Sequence, residues 1–273
     1  MRKTSPGRLA EGPSEPKIHA AGSDIFHKNA SCLLKKQEKS HIIKAVDPAK
    51  QKKEELHMDN MESRAFAVKS ESNPHIQIEA VPGHFVTSHS HINYYLNITK
   101  VKHEHAMARD AAALLAAPYL HFEMIDTIVC MEGSEVLGAF LARELTKSGM
   151  RSINQGSSLF VIAPEYDANG QMFFRENLQP MVADNSVLLL ISTVSTGKTI
   201  RRALDCIRYF GGRTCGVAAV FSAIPSVEGV EIQALFTTKD LPDYASHSAA
   251  DCPDCRAHRP IDAMVNSFGY SRL

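Results

Sequence analysis

Several shortages bound this chain before any motif is read. Its 30 Lys and Arg balance 30 Asp and Glu, a formal net charge of zero. No global field therefore draws it to nucleic acid or membrane, and any anion site must be local. Tryptophan is absent and aromatic residues make up 7% of the sequence. No basic stripe with interleaved aromatics occurs, so direct nucleic-acid binding lacks its usual platform. No apolar run is long enough to span a bilayer. The start, MRKTSPGRLAEGPSEPK, is basic but has no apolar stretch behind it, and does not read as a secretory signal. Six cysteines in 273 residues are sparse for a disulfide scaffold. Cys130, Cys206 and Cys215 sit inside apolar periodic runs and read as small buried hydrophobes. A reducing, cytoplasmic setting is expected.

What is present divides into three stretches. Residues 1–60 are rich in Lys, Pro, Ser, Glu and His, with apolar residues only singly, and read as a disordered tail. Residues 61–245 carry the periodic patterns of an α/β domain. Residues 246–273 form a polar C-terminal segment with one C-x-x-C knuckle. Within the domain, His75–Val81 and Ile92–Val101 read as strands, and Ala-rich Glu104–Leu120 as a helix. An alternation then sets in: strand Ile125–Met131, helix Glu135–Lys147 closed by Gly149, and strand Ser158–Ala163. A turn-rich loop, Pro164–Gln171, precedes strand Val187–Ile191, helix Lys198–Phe210, and strands Thr214–Phe221 and Glu231–Phe236. The helical stripes are Val136, Leu137, Phe140, Leu141, Leu145 and Ile200, Ala203, Leu204, Ile207, Phe210. A run as apolar as VLLLI is buried on both faces, the habit of parallel sheets. The expected fold is a doubly wound, mainly parallel sheet with helices on both faces and a small N-terminal hood.

The strongest local signal is VLLLI-STVSTGKT-IRRALDCI. A buried strand runs through Ser192 and Thr193 into a Ser/Thr/Gly turn and then an amphipathic helix. Gly197 permits a left-handed backbone and close approach of a ligand. Ser195, Thr196 and Thr199 offer hydroxyls, Lys198 a cation, and the helix N-terminus unpaired amides. Such a turn suits a phosphate monoester. Gly197-Lys198-Thr199 also matches the second half of a Walker-type NTPase loop, whose first glycine would fall at Ser192.

These residues resemble the type I phosphoribosyltransferases, orotate-like members in particular. In that family an apolar strand leads to two adjacent acids, a Thr/Ser/Gly turn and a helix, as VLLL and STG do here. IDTIVCMEGSEVLGAFLAREL resembles the family's strand–loop–helix, FVIAPEYDANGQ its strand before a mobile loop, and HFVTSHSHINYYLNITKV an early orotate-type segment. The likeness covers roughly residues 80–240. It implies that Ser192, Thr193 and Ser195–Thr199 hold the 5-phosphate of phosphoribosyl pyrophosphate (PRPP). It implies that Met131, Glu132, Gly133, Ser134 and Glu135 face pyrophosphate, with magnesium as cofactor and a nitrogenous base such as orotate as co-substrate. A homodimer is implied too. Two departures stand out. Ile191 and Ser192 replace the acidic pair, and Pro164, Glu165 and Asp167 stand where the family has basic residues. No catalytic residue is assigned. A non-catalytic sensor of PRPP or a nucleoside monophosphate is the alternative.

Cys252 and Cys255 have the spacing to grip one zinc, with His247 and His258, or a second copy of the knuckle, to complete four ligands. The other reading is a surface loop with two free thiols. His84, His89, His91, His103 and His105 cluster in sequence, and H-S-H and H-E-H put both rings of each pair on one strand face, so a metal site is one reading. The other, preferred because no carboxylate or third ligand falls at a supporting spacing, is exposed or substrate-adjacent positions. Glu132 and Glu135 read either as a displaced acid pair for magnesium or as acids complementing a helix dipole.

Overall fold

The structure is a computed structural model describing residues 61–121, 123–147 and 152–272. The tail at 1–60 and the helix-closing role of Gly149 lie outside the described residues. The chain enters through β1 (Phe66–Lys69), β2 (Gln77–Val86) and β3 (His91–Asn97), then α1 (Thr99–His103) and α2 (His105–Ala116). A βα series follows: β4 (Thr127–Cys130), α3 (Glu135–Thr146), β5 (Phe160–Ile162), the small hairpin β6 (Glu165–Tyr166) and β7 (Met172–Phe173), β8 (Ser186–Val194), α4 (Lys198–Tyr209) and β9 (Arg213–Ser222). The last elements are β10 (Ser226–Val227), β11 (Val230–Thr237), β12 (Ser246–His247), the helical turn α5 (Pro253–Arg256), β13 (Ala263–Asn266) and β14 (Gly269–Ser271).

The central sheet has the order β10-β11-β9-β8-β4-β5. Every pairing in it is parallel except β10 with β11. Strand β8 explains the choice. Leu188 and Leu190 pack on one face with α2 and α3. Val187, Leu189 and Ile191 pack on the other with α4. Each fully buried aliphatic side chain of this kind contributes about 1.5–3 kcal/mol, so β8 is stable only with both faces covered. The expected stripe of α4 is the buried one, Ile200, Ala203, Leu204 and Ile207. On α3, Leu137, Leu141 and Leu145 are buried while Val136 is exposed. The doubly wound, mainly parallel sheet is as the sequence leads one to expect.

Three local readings are corrected. The run ending at Val101 is not strand throughout: β3 stops at Asn97, whose side-chain carbonyl accepts the Thr99 amide at 3.2 Å. Asn and Thr compete in this way with the sheet ladder, and α1 follows. Strand β2 continues past Val81 to Val86 through a register shift between Pro82 and Phe85. The Pro164–Gln171 loop opens as strand, with Glu165 paired to Phe173 and Tyr166 to Met172.

The hood is also larger than an N-terminal unit. A second sheet runs β12-β3-β2-β13-β14, with β1 also on β2. β13 pairs in parallel with β2, Ala263 opposite Phe85 and Met264 opposite Val86. The C-terminal segment thus completes the hood, and Phe85, Ile92, Tyr95, Ala263 and Val265 share its small core.

Candidate functional site

Strand order reverses between β4 and β8. From β4 the chain steps to β5 on one side, then crosses back to β8 on the other. Loops leaving neighbouring parallel strands in opposite directions open a crevice at their carboxyl ends, where open α/β sheets bind ligands. The turns here are residues 131–134 after β4 and 195–197 after β8.

The second turn opens α4. Gly197 has φ +74° and caps α4. A Cβ there would lie 2.6 Å from Val227 Cγ2 and 3.0 Å from Ile224 Cδ1, so space and backbone angle both require glycine. The Gly197 carbonyl accepts the Arg201 amide at 3.0 Å. The amides of Gly197, Lys198, Thr199 and Ile200 meet no acceptor among the described residues. Such amides, with the helix dipole behind them, favour negative charge.

A cavity of about 610 Å³ opens on this turn. Thr193, Ser195, Thr196, Gly197, Lys198 and Thr199 all line it. Ser192 does not. Strand alternation sends its side chain to the opposite face from Ile191, where it is fully buried with its hydroxyl unpartnered among the described residues. Ile191 borders the cavity, leaving no carboxylate at the end of β8. The opposite wall is the hood: Thr87–His89 at the β2–β3 tip, Tyr94 and Tyr95 of β3, and Asn266–Tyr270 of the C-terminal hairpin. Tyr95 and Tyr270 meet edge to face at 5.4 Å.

Of Met131–Glu135, Glu132 alone reaches the cavity. Met131 and Ser134 are buried, and Glu135 is exposed on α3. Glu132 and Gly133 are both left-handed, at φ +60° and +73°. A non-glycine residue there is strained, and its surroundings hold it. Buried Lys102 of α1 donates to the Glu132 carbonyl at 2.9 Å and to the Ser267 carbonyl at 2.6 Å. The Ser267 hydroxyl donates to the Glu132 carboxylate. A Cβ on Gly133 would lie 3.0 Å from the Phe268 ring, so the C-terminal hairpin covers this turn. Burial raises the Glu132 pKa, opposed by the Ser267 bond and the Lys102 charge. Burial lowers that of Lys102, opposed by Glu132 and Glu135. Lys102 is not legible in the sequence, because a lysine in NITKVKHEH has no marker distinguishing it from surface lysines.

The acids of the β6–β7 hairpin do not line the cavity. Glu165 accepts two hydrogen bonds from Arg175, from Nε at 3.0 Å and from Nη2 at 2.7 Å. Asp167 accepts the Asn169 and Gln171 amides, each at 2.8 Å. Their charge is spent on the hairpin itself.

The C-x-x-C pair is not a surface loop. Cys252 is buried and Cys255 half-buried, and their thiols meet His84 and His91 of the hood. His247 and His258 are not members of this cluster among the described residues. His89 lines the large cavity instead.

No family model and no curated protein matches the sequence. Among solved structures, it is similar to Mycobacterium tuberculosis H37Rv orotate phosphoribosyltransferase in complex with Fe(III) dicitrate, at TM-score 0.41 and 16% identity, covering 68% of this chain and 97% of that one. It is similar to a phosphoribosyltransferase from Corynebacterium diphtheriae, at TM-score 0.42 and 17% identity, covering 70% and 99%. It is also similar to adenine phosphoribosyltransferase from Rhodothermus marinus DSM 4252, at TM-score 0.38 and 15% identity, covering 67% and 99%. Likeness at this level carries no functional argument.

Proposed function

We propose that this chain binds a ribose 5-phosphate ester, PRPP or a nucleoside monophosphate, with the phosphate at the Ser195–Thr199 turn. The observation that carries the reading is the set of amides from Gly197 to Ile200, unpaired among the described residues, opening onto a cavity at the sheet's switch point. In this reading the amides and the Ser195, Thr196 and Thr199 hydroxyls donate to phosphate oxygens. Lys198 supplies one positive charge. The ribose lies toward Ile191 and Thr193, and an attached or separate base reaches the Tyr94, Tyr95 and Tyr270 wall. The cavity volume lies within the range of small-molecule sites, about 300–1,000 Å³.

Binding is favoured over turnover by what borders the sugar. Charge developing at the anomeric carbon is stabilised by preplaced groups, and Ile191 offers none. Among the described residues, Glu132 is the one carboxylate on the cavity wall. Magnesium, for a diphosphate ligand, would come largely held by the ligand's own phosphates with one or two carboxylates, and Glu132 would be the contributing side chain. Transfer of phosphoribose to a base such as orotate is the second reading. It is favoured by the aromatic hood wall, which offers a base a surface separate from the phosphate turn.

Two measurements test these readings. Lys198→Ala and Thr199→Val leave the left-handed turn in place and each should weaken ribose 5-phosphate binding about tenfold, the scale of one hydrogen bond to a charged group. Unchanged affinity in both would put the ligand elsewhere. A coupled assay with PRPP, magnesium and a panel of bases should give background rates. Turnover well above background would replace the sensor reading with the transferase.

A further inference from the structure

Four side chains from two distant parts of the sequence converge on the hood: His84 of β2 and His91 of β3, and Cys252 just before α5 and Cys255 within it. Their ligand atoms all lie within 4.8 Å of one another. The individual separations are 3.0 Å from His84 Nε2 to His91 Nδ1, 3.5 and 3.6 Å from His84 Nε2 to the Cys252 and Cys255 sulfurs, and 3.3 Å from His91 Nδ1 to the Cys255 sulfur.

We propose that these four residues form a structural zinc site that fastens the C-terminal segment to the β2–β3 hairpin. Zinc bound tetrahedrally at Zn–N of about 2.05 Å and Zn–S of about 2.3 Å sets N–N, N–S and S–S edges of about 3.4, 3.6 and 3.8 Å. The separations found are close to those edges, so one ion can reach all four atoms with small shifts. Two thiolates and two imidazoles are the donor set of closed, structural zinc sites. A two-iron cluster of the His₂Cys₂ kind places its histidines on one iron and its cysteines on the other. Here each histidine nitrogen is beside a cysteine sulfur, which points to a single ion.

The surroundings support the assignment independently of the distances. His84 Nδ1 is 3.2 Å from the Arg259 carbonyl. Nδ1 therefore carries the proton and donates, leaving the Nε2 lone pair facing the cluster. Metal-bound histidines almost always donate their other ring N–H in this way. The His84 amide donates to Asp262 at 2.8 Å, and the Asp262 amide to the His84 carbonyl at 2.8 Å. The segment carrying the cysteines is thus tied to the strand carrying the histidine from both directions. As the thiols bind, their protons leave to solvent.

The site has a consequence for the cavity. His84 and His91 flank the tip whose residues Thr87, Ser88 and His89 line it. Cys252 and Cys255 precede the β13–β14 hairpin that supplies Asn266–Tyr270. Zinc would hold together two of the walls a ligand touches.

The test uses the full chain purified without chelator and analysed for metals. We expect about one zinc per chain, lost in Cys252→Ser/Cys255→Ser and in His84→Ala, and retained in His247→Ala and Cys215→Ser. Cobalt exchanged into the protein should show tetrahedral d–d bands and thiolate-to-cobalt charge-transfer absorption. That signature does not depend on any variant folding. Absence of zinc together with freely reactive thiols at Cys252 and Cys255 would overturn the proposal. So would iron–sulfur absorption, or retention of zinc in the double cysteine variant. The metal result stands whether or not the chain binds PRPP.

Discussion

At the scale of single residues, the turn after β8 was legible because its chemistry is local. Gly, Ser, Thr and Lys within a few positions of a helix start specify a strand-to-helix turn lined with donors, and the structure has that turn there. Ser192 was misplaced because side-chain direction depends on where the strand ends. β8 runs to Val194, three residues beyond the apolar run, so alternation still governs position 192. Glu132 gives a pH test at this scale. Its native pKa is raised, chiefly by burial. Between the unfolded carboxyl value, about 4.3, and that raised value, the native state holds more protons than the unfolded state. Unfolding free energy therefore falls as pH rises through this window. Glu132→Gln keeps an acceptor for Ser267 and removes the titration. Urea denaturation across the window should show a shallower fall in the variant than in the wild type, and parallel profiles would contradict the assignment.

At the scale of elements, most of the βα alternation was legible from hydrophobic period. The misses were at ends and in the hood. The NITKV run has the β-branched content of a strand, yet Asn97 ends β3 and turns the chain into α1. Close packing between elements was invisible in the sequence. Gly138 of α3 approaches β4 so nearly that a Cβ would lie 2.3 Å from the Cys130 sulfur and 3.2 Å from Val161 Cγ1. Gly138→Ala should destabilise the protein by about 1–3 kcal/mol through overpacking, seen as a lower Tm. Cys130→Ala in the same chain should restore part of the loss. A double-mutant cycle with no coupling would show that the helix shifts away without resistance.

At the scale of the whole molecule, the C-terminal segment was the least legible part. Strand β13 pairs with β2, which lies far earlier in the chain, and neither stretch names the other. The proposed zinc ligands were divided in the same way: the cysteines announced themselves by spacing and the two histidines stood out as a cluster, but the H-x-x-x-x-x-x-H interval across a hairpin did not join them to the cysteines. Their convergence makes the hood a composite of both ends of the described chain. No helix among the described residues is long and apolar enough to cross a membrane. If the hood is one wall of the ligand site and the proposed zinc holds it together, removing that zinc should loosen the wall. Chelator-treated protein should bind ribose 5-phosphate more weakly than untreated protein and recover on adding zinc. Equal affinities would separate the hood from recognition.

Calorimetric titration of the wild-type chain with PRPP, nucleoside monophosphates and ATP tests the phosphate cradle most directly. Saturable binding of PRPP or a monophosphate, tighter than that of ATP, is the expected result. Tight ATP binding with no heat from PRPP or any monophosphate would contradict it.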